Sequence, residues 1–200
     1  MKLTTRRIAF AGILAAAYAA LTIVEGMLFP NLAYGDPQFR FAEAFSVLCC
    51  FTPAAVPGMV IGCFVSNFFN PLGFSLFDAV FGTLATLLAC VVTWLMTGSL
   101  RRQTALPAHP DKDRAAAKKL SWNRLLLILI VPLPTILFNT AIVGAELAVF
   151  LREGMTFWAA YGVFALSVLI GETVVLYALG VPLLIWLRRD PRQFRTLRSF

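Results

Sequence analysis

Glu43, Asn67, Asp78, Asn139, Glu146 and Glu172 stand in stretches that are otherwise almost wholly apolar. A charge at membrane depth costs roughly 2.5–3.5 kcal/mol on insertion scales, so such groups mark a substrate or ion path. Glu146 and Glu172 are the clearest, flanked by apolar residues with no basic residue close by in sequence. The others also admit structural roles. Asp78 follows Ser75 at capping-box spacing, Arg40 and Glu43 are an i, i+3 pair able to neutralise each other, and Asn67 and Asn139 suit interhelical hydrogen bonding. Glu25 reads as a wet helix end. Acids outnumber bases in this set, which argues against an anionic substrate.

The 200 residues are 60% hydrophobic, with a mean hydropathy of +0.81. The apolar runs are too long and too many for a soluble core, and they lack strand alternation. The chain therefore reads as an all-α integral membrane protein, a single membrane domain over residues 1–200 with no room for a soluble catalytic domain. The net charge of +7 is no nucleic-acid signal. It comes from three clusters: Lys2, Arg6 and Arg7; Arg101, Arg102, Lys112, Arg114, Lys118, Lys119 and Arg124; and Arg188, Arg189, Arg192, Arg195 and Arg198. Basic residues in short loops mark the cytoplasmic side and favour anionic lipid headgroups.

Six helices are expected to position the polar residues, over 7–24, 41–52, 57–69, 75–96, 122–151 and 157–187. Pro53 and Pro57, then Asn70 to Gly73, divide the long apolar stretch. Pro132 and Pro134 predict a kink in the fifth helix. Six spans place the N-terminus, the 97–121 loop and the C-terminus on one side, which is where the basic clusters fall. The N-terminus imitates a signal peptide, but removing it would break that symmetry, so a retained first helix is expected. Threaded this way, Glu43, Asn67, Asp78, Asn139 and Glu146 fall in the outer half of the membrane, and Glu172 near the middle.

Helix one carries Ala11-x-x-x-Ala15-x-x-x-Ala19, a flat face that lets another helix approach closely, either within the bundle or from a partner. Cys49, Cys50, Cys63 and Cys90 lie in apolar stretches without metal-ligand spacing and read as small buried hydrophobes. No metal or cofactor is implied. An enzyme is disfavoured, because the one histidine, His109, is in the basic loop and no nucleophile–base pair stands out.

From Tyr34 to Phe45 the chain reads Tyr-Gly-Asp-Pro-Gln-Phe-Arg-Phe-Ala-Glu-Ala-Phe. This resembles the queuosine-precursor (QueT) family of energy-coupling-factor transporter S components, with its Gln-x-Arg-x-x-Glu-Ala element at Gln38, Arg40, Glu43 and Ala44. The stretch from Asp78 is similar to that family's fourth helix, and Gly62 with Asn67 to its third. The resemblance implies a six-helix S component in the plasma membrane that captures a 7-deazaguanine base or nucleoside at the outer face. It implies partners as well: a transmembrane coupling subunit, docked on helix one at Ala11, Ala15 and Ala19, and two ATPases. The chain has no Gly-x-x-x-x-Gly-Lys-Ser/Thr loop of its own. A guanine-like edge offers adjacent N–H donors to a carboxylate. Glu43, Glu146 or Glu172 suits that role, with Asn67 or Asn139 reading the carbonyl. Tyr34, Phe39, Phe41 or Tyr161 would cover the flat ring. The alternative reading is a proton- or ion-coupled secondary transporter.

Overall fold

A computed structural model describes residues 5–29, 39–69, 76–98, 128–151 and 154–189. Gln38, Tyr34, most of the basic 97–121 loop and the residues after Arg189 lie outside them. The described residues form helices α1 (Thr5–Leu28), a 3-10 helix (Phe41–Cys50), α2 (Ala55–Phe68), α3 (Leu76–Met96) and α4 (Leu133–Phe150). Then come α5 (Phe157–Val175), a π-turn (Leu176–Gly180) and α6 (Val181–Arg189). Among the described residues, four helical stretches are long and apolar enough to cross a membrane: Thr5–Leu28, Leu76–Met96, Ile128–Phe150 and Phe157–Leu187. The 3-10 helix and α2 are apolar but shorter.

The packing is inside-out relative to a soluble protein. Ile13, Leu95 and Trp158 are 71%, 67% and 77% exposed, whereas Tyr18, Glu43, Asn67 and Thr86 are buried. Helical spacing produces this directly. Tyr18, Thr22 and Glu25 share one face of α1; Asp78, Gly82, Thr86 and Thr93 share one of α3; Thr135, Asn139 and Glu146 share one of α4. Each helix thus turns a polar or small stripe inward and its bulky apolar side chains outward.

Neighbours in sequence are neighbours in space, α1 on α2, α2 on α3, α3 on α4 and α4 on α5. Glycines set the close approaches. A Cβ on Gly58 would stand 2.8 Å from the Ala11 carbonyl oxygen, and one on Gly62 would stand 2.9 Å from that of Ala15. A Cβ on Gly144 would meet the Ala165 backbone at 2.9 Å. The 3-10 helix occupies the middle, touching α1, α2, α3, α5, the π-turn and α6. Beneath it, Leu14, Val47, Met59, Cys90 and Leu184 form the main apolar core. The four cysteines are buried and free, as the sequence suggests.

Two local features differ from the sequence expectation, and a third agrees with it. The first helix extends to Leu28 because Glu25 is a buried member of its inward face rather than a wet end. The kink expected in the fifth helix is present as an interruption at Val131–Pro132, and the helix restarts at Leu133. Pro134 then sits in the first turn, where its missing N–H is not needed. The sixth continues past Gly180 through a π-turn. A regular α-helix would press the Pro182 ring on the Ala178 carbonyl, and the widened turn relieves that clash.

Candidate functional site

The 3-10 helix organises the polar interior. In an α-helix, residues three apart drift by about 60° around the axis, but in a 3-10 helix they eclipse. Arg40, Glu43, Ser46 and Cys49 therefore stack as one buried ridge. Ten residues at about 2.0 Å each also reach about 20 Å, against about 15 Å for an α-helix.

Two groups on α1 secure this ridge. Tyr18 Oη donates to Glu43 Oε1 at 2.5 Å, and Glu25 Oε2 accepts from the Phe41 backbone N–H at 3.1 Å. Glu25 thus caps the 3-10 helix from a neighbouring helix, since Arg40, at the cap position, has no side-chain capping bond. Lower down, Thr135 Oγ1 of α4 donates to Ser46 Oγ at 3.0 Å.

At the top of the ridge, Arg40 donates through Nη2 to Asn67 Oδ1 at 3.2 Å. Asn67 Nδ2 donates in turn to the Asp78 carbonyl oxygen at 3.2 Å, tying α2 to α3. Gly82 makes this possible: a Cβ there would stand 2.9 Å from Asn67 Nδ2 and 3.6 Å from Arg40 Nη1. Thr86, one turn further along α3, faces the Glu43 carboxylate and donates to Cys63 Sγ at 3.4 Å.

Across the interior, Asn139 Nδ2 of α4 donates to Glu172 Oε1 of α5 at 2.8 Å. Asn139 also faces Glu43, so the amide stands between two carboxylates from different elements. Glu43 Oε2 and Glu172 Oε2 are buried without a hydrogen-bond partner among the described residues. Buried polar atoms are nearly always paired, and an unpaired carboxylate oxygen is an acceptor open to a donor. Nearby, the carboxyls of Glu146 and Asp78 face each other across the α3–α4 contact.

The expected set thus converges: Arg40, Glu43, Asn67, Asp78, Asn139, Glu146 and Glu172 share one interior. Phe39 is half-buried at its margin. Tyr161 is instead stacked on Phe157, with ring centroids 6.1 Å apart, in a separate aromatic cluster. Phe41 meets Glu25 through its backbone N–H. Tyr18, Glu25, Ser46, Thr86 and Thr135 were not expected at the site. The spacing of Tyr18, Thr22 and Glu25 on one face of α1 was the available signal.

The small-residue face on helix one packs within the chain. Ala15 and Ala19 are buried, and Ala11 and Ala15 lie against Gly58 and Gly62 of α2. The close approach these alanines permit is used inside the chain. Small residues of the same helix that face outward include Gly12, Ala16 and Ala20, together with Ala9 and Ala17.

The fold and site together define a multi-pass α-helical membrane protein built around a buried cluster of carboxylates and amides. The chain belongs to the QueT transporter family, whose model matches residues 8–189. It is 36% identical over 75 residues to the queuosine precursor transporter QueT of Lactococcus lactis subsp. cremoris. That match covers 38% of this chain and 41% of the relative, less than half of either. No solved structure matches the chain.

Proposed function

We propose that the chain is the capture subunit, or S component, of an energy-coupling-factor importer in a bacterial plasma membrane. Its cargo is a queuosine precursor, a 7-deazaguanine base or its nucleoside, taken from the outer face. The observation that carries this reading is Asn139 standing between Glu43 and Glu172, each with an unpaired buried oxygen. The ring N–H and amino donors of a guanine-like edge are adjacent and suit a carboxylate, while an amide reads the neighbouring carbonyl. Family membership supports the same ligand class.

In this reading the two shorter helices complete six spans, and the basic clusters hold both termini in the cytoplasm. The protein performs no chemistry itself. A transmembrane coupling subunit and two ATPases supply the drive, and the coupling subunit meets α1 on the outward Gly12, Ala16 and Ala20 stripe.

Thermal stabilisation of the purified chain, without ATPases, tests the proposal against 7-deazaguanine bases, guanine and unrelated vitamins. Selective stabilisation by deazapurines is expected. The facing Glu146 and Asp78 carboxyls favour a second reading, an ion-coupled carrier. No response to any base, with a response to pH or cations, would replace the first reading by the second.

A further inference from the structure

Packing on α3 and α5 holds α4 in the bundle, and α4 is not among the elements packed closely on the 3-10 helix. Two of its side chains reach that helix all the same. Thr135 Oγ1 donates to Ser46 Oγ at 3.0 Å, and Asn139 faces Glu43. The spacings on the two elements match. Ser46 follows Glu43 by three residues, a rise of about 6 Å in a 3-10 helix. Thr135 precedes Asn139 by four, a rise of about 6 Å in an α-helix. Ser46–Thr135 and Glu43–Asn139 are thus successive rungs of one ladder. An α-helical Phe41–Cys50 would shorten the first spacing to about 4.5 Å and swing Ser46 about 60° aside.

The lower rung lies where α4 needs an anchor. The helix restarts at Leu133 after the interruption at Val131–Pro132, and Pro132, at the cap position, makes no side-chain capping bond. The turn before the interruption has its own tie, Tyr177 Oη donating to the Leu129 carbonyl oxygen at 2.8 Å. The turn after it has Thr135 on Ser46, both buried. Below Ser46 the ridge enters the apolar core at Cys49. Two hydroxyls in this setting cannot part without leaving buried polar atoms unpaired.

We propose that Ser46 and Thr135 are a positioning pair, whose hydrogen bond fixes the height of α4 on the ridge and so sets Asn139 between Glu43 and Glu172. The effect on ligand rests on the capture reading above; the register is a property of the chain alone. Thr135 acts through Asn139, one turn further along the same face of α4.

The test uses the purified full chain in lipid nanodiscs, with 7-deazaguanine as the probe. Thr135→Val keeps the shape and removes the hydroxyl, whereas Thr135→Ser keeps the hydroxyl. T135V is expected to weaken binding about fivefold, the worth of one neutral hydrogen bond, and T135S to bind as wild type does. That loss should vanish when T135V is made together with Asn139→Ala. The side-chain amide NMR signal of Asn139, identified by its loss in N139A, should shift in T135V and not in T135S, without ligand. Ser46→Ala should reproduce T135V and add nothing to it, so the contact is still read if T135V folds poorly. Unchanged affinity in folded T135V, or an equal loss with and without Asn139, overturns the positioning role. An Asn139 amide signal that stays in place overturns the register assignment. Failure of the wild type to bind the probe overturns the capture reading, and the amide signal then decides the register by itself.

Discussion

Tyr18 on α1 and Glu43 on the 3-10 helix, 25 residues apart in sequence, share a 2.5 Å hydrogen bond in a fully buried setting. The phenol holds one carboxylate oxygen and leaves the other unpaired. In the capture reading proposed above, Tyr18 is a positioning residue for the site. Tyr18→Phe keeps the ring and removes the donor. The variant should fold, and ligand affinity should fall about tenfold, as befits one lost hydrogen bond to a charged group. Calorimetry on the purified variant reads this; unchanged affinity would remove Tyr18 from the site.

Gly82 and Gly12 offer a contrast between crowded and open glycines. At Gly82 a methyl group would meet Asn67 and Arg40, whereas at Gly12 nothing lies within 4 Å. Gly82→Ala should destabilise by about 1–3 kcal/mol and weaken binding, because Asn67 must move off Arg40. Gly12→Ala should be neutral or slightly stabilising, since alanine favours a helix. Melting temperatures in one detergent separate the two.

Adjacent alanines on α1 should behave in opposite ways. Ala15 is buried against α2, and Ala16 is exposed. Ala15→Trp should prevent folding or lower the melting temperature sharply. Ala16→Trp should leave ligand binding intact and abolish uptake by blocking the coupling subunit. Normal uptake by A16W cells would move that interface to another face.

Glu25 caps the 3-10 helix through the Phe41 N–H. Glu25→Ala should cost about 1 kcal/mol, in the range of lost helix caps, and Glu25→Gln, which keeps an acceptor, should cost less. Equal losses in the two would show that charge, rather than the cap, is what Glu25 supplies.

The long helices were legible in the sequence because composition and length decide them, as with Leu76–Met96 against the expected 75–96. The site was legible wherever an acid or amide interrupts an apolar run, as at Glu43, Asn139 and Glu172. Tyr18 and Thr86 escaped because a hydroxyl in a helix is unremarkable until its partner from another helix is known. The small face of helix one left two readings open because Ala-x-x-x-Ala spacing says that a helix will approach but not which helix. That depended on Gly58 and Gly62, which read as mere small residues in α2. The 3-10 winding of Phe41–Cys50 left no periodic mark, since Ala42, Ala44 and Val47 suit either helix.

The Glu25–Phe41 contact fastens the end of α1 to the start of the 3-10 helix, 16 residues further on. Because the contact is made at the first residue of the 3-10 helix, a displacement of the α1 end carries Arg40 and Glu43 with it.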